Sequence, residues 1–421
     1  MVGQALTSVA IVGGGPGGLA TAIALSELPF LKVTLYEKNS EPREAGAGIS
    51  LTTNAWKVLD LLGASGGIKG GSKSNTHHRI ERNAYTGKVV SISPPPENPP
   101  ANYRGSIRAR RTRLQSALLS RVPVGLIQFG KKVVSLENLS GQGVRLVFQD
   151  HTEAIADIVV GADGIHSVVR RALLPHHQLH FTGNSAFRVL IPKSHLAHIP
   201  DITTTTSWWW GEAGHVYLSD VDDEEDTEDP LFEITVRSYR EPEVSGKTVF
   251  WGVPATNEKV GTRVETFDQR MRDAVSTVTE GEWREFATFA GPRLNKITDW
   301  DKVALIGDAS HPLSGAFGSG ATFAMEDGWI LARALELTRF ASHPARDALE
   351  IFEQIRSPYY AKMYQHLDEI RDKTQLQAEK DFDVILQAKI DTFLYGDKDF
   401  IYQNDIKKVW EDFLVTYQTV V

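Results

Sequence analysis

Residues 9–18 read Val9-Ala10-Ile11-Val12-Gly13-Gly14-Gly15-Pro16-Gly17-Gly18, a short apolar segment joined to a run rich in glycine. The apolar part is typical of a buried parallel strand, and residues 19–25, rich in alanine and leucine, predict a helix. The pattern G-x-G-x-x-G between a strand and a helix places the pyrophosphate of a dinucleotide on the helix N-terminus. Its glycines make a tight turn, let the backbone approach phosphate, and let helix and strand pack closely. We therefore expect a dinucleotide-binding unit whose candidate binding residues here are Gly13, Gly15, Pro16, Gly17 and Gly18.

A second strand is predicted over residues 32–36, and it ends at Glu37. An acid at this place binds the ribose hydroxyls of the adenosine half of a dinucleotide. We therefore count Glu37, and Lys38 beside it, among the candidate cofactor-binding residues. A plain glycine-rich turn is the alternative interpretation, but it leaves the combination of strand, helix and acid unexplained.

The composition excludes several classes of function. The 421 residues carry a net charge of -8, which argues against non-specific nucleic-acid binding. There is no cysteine, so disulfides, thiolate zinc sites, thiol nucleophiles and cysteine-linked cofactors are excluded. We find no run of about 18 apolar residues and no basic leader segment, so we expect a cytoplasmic protein that neither spans nor binds a membrane. The histidine pairs at 77–78 and 176–177 lack supporting carboxylates, and we expect no metal site.

The chain changes character along its length. Two segments predict surface loops: residues 91–100, rich in proline, and the acidic run 220–229, which we interpret as a solvated hairpin tip. Between about 180 and 255, β-branched and aromatic residues alternate with polar ones, which indicates antiparallel strands. From Glu326 onward the apolar spacing is helical.

Two later segments complete the pattern. Residues 157–162 predict a buried strand that ends at Asp163-Gly164, and residues 303–306 predict another that ends at Gly307-Asp308. With the first glycine motif, in this order, they resemble the class A flavoprotein monooxygenases, the family of para-hydroxybenzoate hydroxylase and salicylate hydroxylase. In that family the first motif binds the FAD pyrophosphate, the Asp-Gly motif serves FAD and nicotinamide, and the Gly-Asp motif holds the ribityl chain. The resemblance runs from about residue 8 to about 340.

The resemblance implies an α/β fold in which a Rossmann-like FAD-binding domain is split along the chain. We assign to it residues 1–75, 101–177 and 290–372. An inserted, mainly antiparallel β-sheet substrate domain takes 76–100 and 178–289. A helical C-terminal segment, 373–421, is a candidate surface for a homodimer.

Further residues match the family's cofactor contacts. The turn at 44–49, with Gly48, is similar to the one beside the isoalloxazine ring, and Arg111, which opens a predicted helix at 112–120, is expected on the flavin. A solvated basic face is the alternative for Arg111, and we expect solvated or nicotinamide-facing roles for its neighbours Arg108, Arg110 and Arg113. The helix start at Gly318, Gly320 and Ala321 can stabilise negative charge at the flavin N1–C2=O locus. Ser319 stands where many members have glutamine, which puts that side-chain contact in doubt.

By this resemblance the protein is an oxidoreductase that uses FAD, O2 and NADH or NADPH to hydroxylate a phenolic substrate through a C4a-hydroperoxyflavin. The salicylate type, with decarboxylation, is the leading hypothesis. Alternatives are a hydroxylase or epoxidase of a polyketide, alkaloid or urate-like heterocycle, and, in another class, a non-catalytic flavin-binding regulator. A flavin-free dehydrogenase would leave Asp163-Gly164 and Gly307-Asp308 without a role.

A phenol reacts better once it has lost its proton, and histidine titrates in the useful range. His215 follows a glycine-containing turn, as the substrate-facing histidine does in salicylate hydroxylase-like enzymes; a hairpin histidine bonded to backbone is the alternative. Alternation places Tyr217 on the same face as His215, as a candidate hydrogen-bond donor or a packing residue.

Arg237, with Arg188 as its rival, is a candidate for a bidentate pair with a substrate carboxylate. His311 is a second candidate base, with capping of a turn as its simpler role. Of the tryptophans at 208–210, alternation sends Trp209 to the face opposite its neighbours.

Overall fold

The structure, a computed structural model, describes residues 6–42, 47–69, 79–94, 104–223, 227–239, 251–313, 315, 317–375, 381–395 and 398–420. The helices are α1 (Pro16–Ser26), α2 (Thr53–Leu61), α3 (Arg111–Leu119), α4 (Val168–Leu173), α5 (Asn257–Gly261), α6 (Gln269–Ser276), α7 (Gly320–Thr338), α8 (Pro344–Gln375), α9 (Phe382–Tyr395), α10 (Asp399–Tyr402) and α11 (Ile406–Val420).

The strands up to the middle of the chain are β1 (Thr7–Val12), β2 (Leu31–Tyr36), β3 (Gly48–Leu51), β4 (Arg79–Asn83), β5 (Val89–Ser93), β6 (Ile107–Arg110), β7 (Ile127–Gln128), β8 (Val133–Leu139), β9 (Gly143–Phe148), β10 (Glu153–Ala156) and β11 (Ile158–Gly161). The remainder are β12 (His180–Pro192), β13 (Thr206–Trp210), β14 (Gly214–Asp220), β15 (Leu231–Ser238), β16 (Trp251–Pro254), β17 (Arg284–Ala290), β18 (Thr298–Asp299) and β19 (Val303–Leu305).

A six-stranded sheet, in the order β18-β19-β11-β1-β2-β7, forms the first domain. All its neighbours run parallel except β18 and β19. Parallel strands present their carboxyl ends at one edge, so the segments that follow β1, β11 and β19 meet there. The three motifs singled out in the sequence are these segments.

Helices α1 and α7 cover this sheet and pack on each other. Every residue from Gly17 to Leu25 is buried, and so is most of α7. The helices come close because glycine stands at the contact: a Cβ on Gly328 would lie 2.2 Å from Thr21 Oγ1. The result is a core in which β1, α1 and α7 hold the glycine loop in place.

The second domain is an eight-stranded sheet in the order β16-β17-β12-β15-β14-β13-β4-β5. Its pairs are antiparallel except β4 with β13. One face packs on α5 and α6 around Trp209, Phe232 and Trp283. Antiparallel strands can leave their other face polar, and the predicted substrate-side residues lie there. The expected α/β fold with an inserted antiparallel sheet is therefore confirmed, whereas the exact domain boundaries stay a prediction.

The C-terminal helices pack back onto the chain. Ile406 and Trp410 of α11 join the core of the first domain, and Leu386 and Ile390 of α9 cover Trp210 on the large sheet. Homodimerisation through this segment stays a prediction. In the part of the chain that is described, no helix has both the length and the apolar character to cross a membrane. Within the same ranges, histidine and acidic side chains form no group of three able to hold a metal ion.

Candidate active site

The glycine loop between β1 and α1 is too tightly packed for a side chain at three positions. Gly13 has a φ of 108°, which favours glycine, and a Cβ there would lie 2.4 Å from the Ala162 carbonyl oxygen. A Cβ on Gly18 would lie 1.9 Å from the Gly13 oxygen, and one on Gly17 would lie 2.8 Å from a Cβ of α7. At Gly15, in contrast, a Cβ would meet no atom within 4 Å. The loop is closed toward the protein and open at Gly15, where a phosphate could approach the backbone.

The neighbouring groups also suit a nucleotide. Gly15 is the N-cap residue of α1 and Pro16 opens the helix, so no side chain caps its first backbone N–H groups. Glu37, at the end of β2, accepts hydrogen bonds from the backbone N–H of Gly14 at 2.7 Å and of Asn39 at 2.9 Å. These bonds fix the carboxylate beside the loop, and Lys38 next to it is exposed.

Asp163, after β11, has one oxygen in use and one free. Its Oδ2 accepts from the Val168 N–H at 2.6 Å at the start of α4, whereas Oδ1 is buried without a hydrogen-bond partner among the described residues. Burial raises the pKa of Asp163. Gly164, with a φ of 77°, turns the chain away behind it. A buried carboxylate oxygen without a donor is what a hydroxyl-bearing ligand would satisfy.

Arg111 and Asp308 lie in a concave part of the protein surface, called the cavity below. Arg111 opens α3, and Asp308 lies in the tight turn Gly307–Ala309 after β19. Both residues are accessible to solvent. The protein around them nevertheless removes part of their hydration, which lowers the pKa of Arg111 and raises the pKa of Asp308. A side chain that solvent reaches although many protein atoms surround it lies in a concave part of the surface. Each lowers the free energy of the other's charge across the cavity, without a direct ion pair.

The N-terminus of α7 adjoins Asp308. A Cβ on Gly320 would lie 3.9 Å from Asp308 Oδ1, and the helix has no side-chain cap. Gly318 and Gly320 are exposed and Ala321 is half-buried, as a backbone surface open to a ligand requires. Ser319, where the family often has glutamine, is buried and points its hydroxyl toward the Phe317 oxygen at 3.4 Å. Ser319 therefore presents its backbone, and not its side chain, to the cavity.

Gly48 lies against an ion pair that the sequence did not reveal. A Cβ there would be 2.3 Å from Glu233 Oε2 and 2.6 Å from Arg108 Nε. Glycine is thus required so that β3 can approach this pair. The remainder of the predicted turn, residues 44–46, lies outside the described residues.

The arginines next to Arg111 are paired, so the expectation that they are merely solvated was wrong, whereas a nicotinamide-facing role for them stays a prediction. Arg108 donates to Glu233 at 2.7 Å, and both Arg110 and Arg113 donate to Asp222, at 2.8 and 2.7 Å. Asp222 is 1% exposed, so the acidic run 220–229 is not simply a solvated tip. The reason is that β6 and α3 lie against the large sheet, where each guanidinium needs a carboxylate to offset its desolvation.

The predicted substrate-side residues lie on one face of the large sheet in two cross-strand rows. The first row is Trp210, His215 and Arg237, and the second is Trp208, Tyr217, Thr235 and Arg188. Trp209 points the other way and is fully buried, as the alternation predicted. Arg237 Nη2 would be 2.9 Å from a Cβ on Gly315, in the loop before α7, so this face adjoins the cavity at Asp308 and Gly320.

His215 is held on two sides. Its Nδ1 shares a short hydrogen bond with the Tyr239 hydroxyl, and its ring lies 4.5 Å from that of Trp210, centroid to centroid. Nε2 has no hydrogen-bond partner among the described residues and remains accessible. Burial, with Arg237 and Lys389 adding, holds the pKa of His215 well below its usual value. The imidazole is therefore neutral at pH 7 and able to accept a proton.

The face carries an excess of positive charge. Burial lowers the pKa of Arg188 to about 10 and also lowers that of Arg237, and neither guanidinium has a carboxylate partner within the described ranges. Glu233 is already held by Arg108 and by the Thr235 hydroxyl at 3.0 Å. Tyr217, whose pKa burial raises, lies 4.6 Å from Trp208 between ring centroids. This arrangement favours an anionic aromatic ligand.

His311 lies elsewhere, inside the first domain. It is 3% exposed, its Nδ1 is bonded to Ser310, and its ring stacks on Tyr360 with centroids 3.2 Å apart. Asp327 lies 3.7 Å from Nε2, and Arg356 bonds Asp327 at 2.6 Å. Burial and the Arg356 charge hold the pKa of His311 well below its usual value. The residue belongs to a buried polar network beneath the Gly307–Ala309 turn.

The model of the FAD binding domain family matches residues 6–366. The chain belongs to this FAD-binding family. Salicylate hydroxylase of Pseudomonas putida is 27% identical over 406 residues, which cover 86% of either protein. A dual trans-enoyl reductase/FAD-dependent monooxygenase of Aspergillus terreus is 30% identical over 78% of this chain, which spans only 47% of that relative. The solved salicylate hydroxylase substrate complex shares the fold, with a TM-score of 0.77, 23% identity and coverage of 97% and 98% of the two chains.

Membership confirms the predicted FAD cofactor, the class A flavin monooxygenase resemblance and an enzyme of that class, which uses NAD(P)H as co-substrate. The geometry fits the cofactor as well. Gly15 leaves room for a phosphate, Asp163 has a buried oxygen without a donor, and Arg111 and Asp308 lie in the cavity.

Sequence reasoning missed three residues of the site. Tyr239, which bonds His215, was not among the predicted site residues. Lys389 gave no signal, and the importance of both Lys389 and Glu233 depends on partners brought together from distant parts of the chain. Following the alternation of side chains along β15 could have found Glu233, which lies on the same face as Thr235 and Arg237.

Proposed function

We propose that this flavin enzyme hydroxylates a phenolic aromatic acid, with decarboxylation of the salicylate type as the specific reaction. The observation that carries the proposal is the pairing of a neutral histidine, His215, with the partnerless guanidiniums of Arg188 and Arg237 on one sheet face. The substrate named for the Pseudomonas putida relative, salicylate, has both groups that this face would need: a carboxylate and a phenol.

The cofactor would be held at the edge of the first sheet where the carboxyl ends of its parallel strands meet. Gly13, Gly15, Gly17 and Gly18, with the N-terminus of α1, would bind the pyrophosphate, and Glu37 the adenosine ribose. Asp308 and Asp163 would accept hydrogen bonds from FAD hydroxyls, and the N-terminus of α7 with Arg111 would stabilise negative charge on the ring. When bound, FAD supplies the redox chemistry, taking a hydride from NADH or NADPH and delivering one oxygen atom of O2 to the substrate.

Arg237 would bind the substrate carboxylate. Its fork of N–H donors suits a bidentate pair, and it lies beside the loop that leads to α7, on the cofactor side of the sheet. Arg188, in the neighbouring row, faces the same space and would add to the attraction. Tyr217 lies in the same row as Arg188 and would donate to a substrate oxygen.

His215 would take the phenolic proton. In the tautomer whose Nδ1–H donates to the Tyr239 oxygen, Nε2 is the acceptor, and it is the nitrogen that remains accessible. Tyr239 then positions the ring. His311, which is buried and stacked on Tyr360, would stabilise the turn at Asp308 and take no part in proton transfer.

The test is substrate-stimulated oxidation of NADH and of NADPH by the FAD-loaded protein. Salicylate is compared with benzoate, which lacks the hydroxyl, and with salicylamide, which lacks the carboxylate, while product, carbon dioxide and peroxide are measured. We expect salicylate to stimulate turnover, with catechol and carbon dioxide formed in equal amounts. If salicylate does not stimulate oxidation, the proposal is wrong, and larger heterocyclic substrates or a regulatory role become the alternatives.

A further inference from the structure

Helix α9 covers the part of the large sheet that carries His215. Leu386 and Ile390 pack on Trp210, and the Asn83 side chain of the sheet donates to Asp383 at 2.6 Å. The match to the family model ends at residue 366, before this helix begins. The wall of the site beside Trp210 is thus supplied by the C-terminal segment.

Lys389 projects from α9 into this corner. Its Nζ lies 4.3 Å from the centroid of the Trp210 ring and 5.4 Å from that of Tyr239. Trp210 and Tyr239 are the two residues that hold His215. The ammonium therefore lies against the two rings that flank His215, close enough for its charge to act on the imidazole.

No anion neutralises this ammonium in the described part of the chain. The carboxylate whose charge acts on Lys389 is that of Glu81. Glu81 accepts hydrogen bonds from the Arg79 guanidinium at 2.8 Å and from the Trp210 indole. Glu81 is already satisfied by these donors and makes no ion pair with Lys389. The surroundings are dry enough that burial lowers the pKa of Lys389 to about 8. A partly buried cation without a counter-ion is costly unless a ligand provides the negative charge.

The positive charge of Lys389 would assist the transfer of a proton from a bound phenol to His215. Arg237 and Lys389 both disfavour a protonated His215, so the phenol must become more acidic if His215 is to accept its proton. Because the Lys389 ammonium acts on the charge of His215, it would also act on a phenolic oxygen bound beside the His215–Tyr239 pair.

We propose that Lys389 is a catalytic residue that binds the phenolic oxygen of the substrate and stabilises the phenolate formed there. The O–H bond of the phenol breaks, its proton goes to His215 Nε2, and the negative charge left on oxygen is paired with the ammonium. Arg237 holds the carboxylate on the other side of His215. This inference rests on the proposed function.

The test measures the acidity of a bound phenol directly. A nitro-substituted salicylate, whose phenolate absorbs visible light, is added to the FAD-loaded protein, and its ionisation is followed by difference spectra against pH. A cation within about 4–6 Å lowers the pKa of an acid by roughly 1–3. We therefore expect the bound phenol to be about tenfold or more harder to ionise in Lys389→Met than in wild type, and Lys389→Arg to restore most of the effect.

Lys362→Met is the matched control. Lys362 also lies over an aromatic ring, at 4.1 Å from the Phe400 centroid, but it is exposed on α8 and should leave the bound phenol unchanged. A bound phenol equally acidic in wild type and Lys389→Met, with the ligand bound in both, overturns the assignment of Lys389 and leaves the proposed function standing. A wild-type protein that neither binds the phenolic acid nor is stimulated by one overturns the proposed function itself.

Discussion

Replacing Gly15 by alanine should separate the stability of the fold from the binding of FAD. The residue has a φ of -74° and a ψ of 178°, which alanine adopts without strain, and a Cβ there meets no protein atom within 4 Å. Loss of backbone freedom in the unfolded chain should therefore raise the free energy of unfolding of the apoprotein by about 0.4–1 kcal/mol.

The same methyl group should weaken FAD binding, because it would occupy the open side of the loop where a phosphate contacts the backbone. Losing two charge-assisted hydrogen bonds at about 1.5 kcal/mol each gives about 3 kcal/mol. That corresponds to a dissociation constant roughly 100-fold higher.

Two variants serve as controls. Gly18→Ala would bring a Cβ to 1.9 Å from the Gly13 oxygen, a backbone atom that cannot turn aside, so the apoprotein should lose about 1–3 kcal/mol or more. Gly261→Ala, at the end of α5 in the other domain, has equally open space, so it should raise the free energy of unfolding by a similar amount and leave FAD binding unchanged. Urea unfolding of the apoproteins and titration with FAD, followed by flavin fluorescence, give the two numbers. Normal FAD affinity in Gly15→Ala would refute the assignment of the open side of the loop to phosphate.

Four further outcomes are expected. Arg237→Met should raise the KM for salicylate at least tenfold with little change in kcat, and an unchanged KM would assign the carboxylate to Arg188. His215→Asn should lower kcat by about 10²–10⁴-fold at unchanged FAD content. Because His215 must be neutral to accept a proton and its pKa is lowered, activity of the wild type should fall only well below pH 6.5. In Arg237→Met this acid limb should move to higher pH, since one of the charges that lower the pKa is gone. Asp222→Ala leaves Arg110 and Arg113 without their carboxylate and should cost about 3 kcal/mol in urea unfolding; a loss below 1 kcal/mol would mean that solvent replaces the pairs.

The parts of the site that the sequence predicted are those fixed by local geometry. The turn at Gly13, the close packing at Gly18 and the acid at the end of β2 follow from a strand, a loop and a helix that are neighbours in the chain. The shared face of His215 and Tyr217 follows from the alternation of a strand, and the register of β13 to β15 confirmed it.

The parts that could not be predicted depend on contacts between distant segments. Arg108 and Glu233 are 125 residues apart, and a basic cluster in sequence gives no sign of which arginine will meet an acid. Asp222 stands in a run of acids that is usually solvated, and only the packing of α3 against the large sheet buries it. The contact between Lys389 and Trp210 likewise requires the C-terminal segment to return to the sheet.

The pairing of charges explains how a chain with an overall charge of -8 presents a positive site. Glu233 neutralises Arg108, and Asp222 neutralises both Arg110 and Arg113, so these arginines join the two domains and contribute little charge to the cavity. Arg111, on the cofactor side, and Arg188, Arg237 and Lys389, on the sheet side, have no such partner among the described residues. Binding of an anionic cofactor and an anionic substrate would then supply the missing charges, Arg111 by the flavin and the other three by the aromatic acid. A neutral substrate would leave the cations on the sheet uncompensated, so under the proposed function the preference for an acid would follow from desolvation as much as from direct contact.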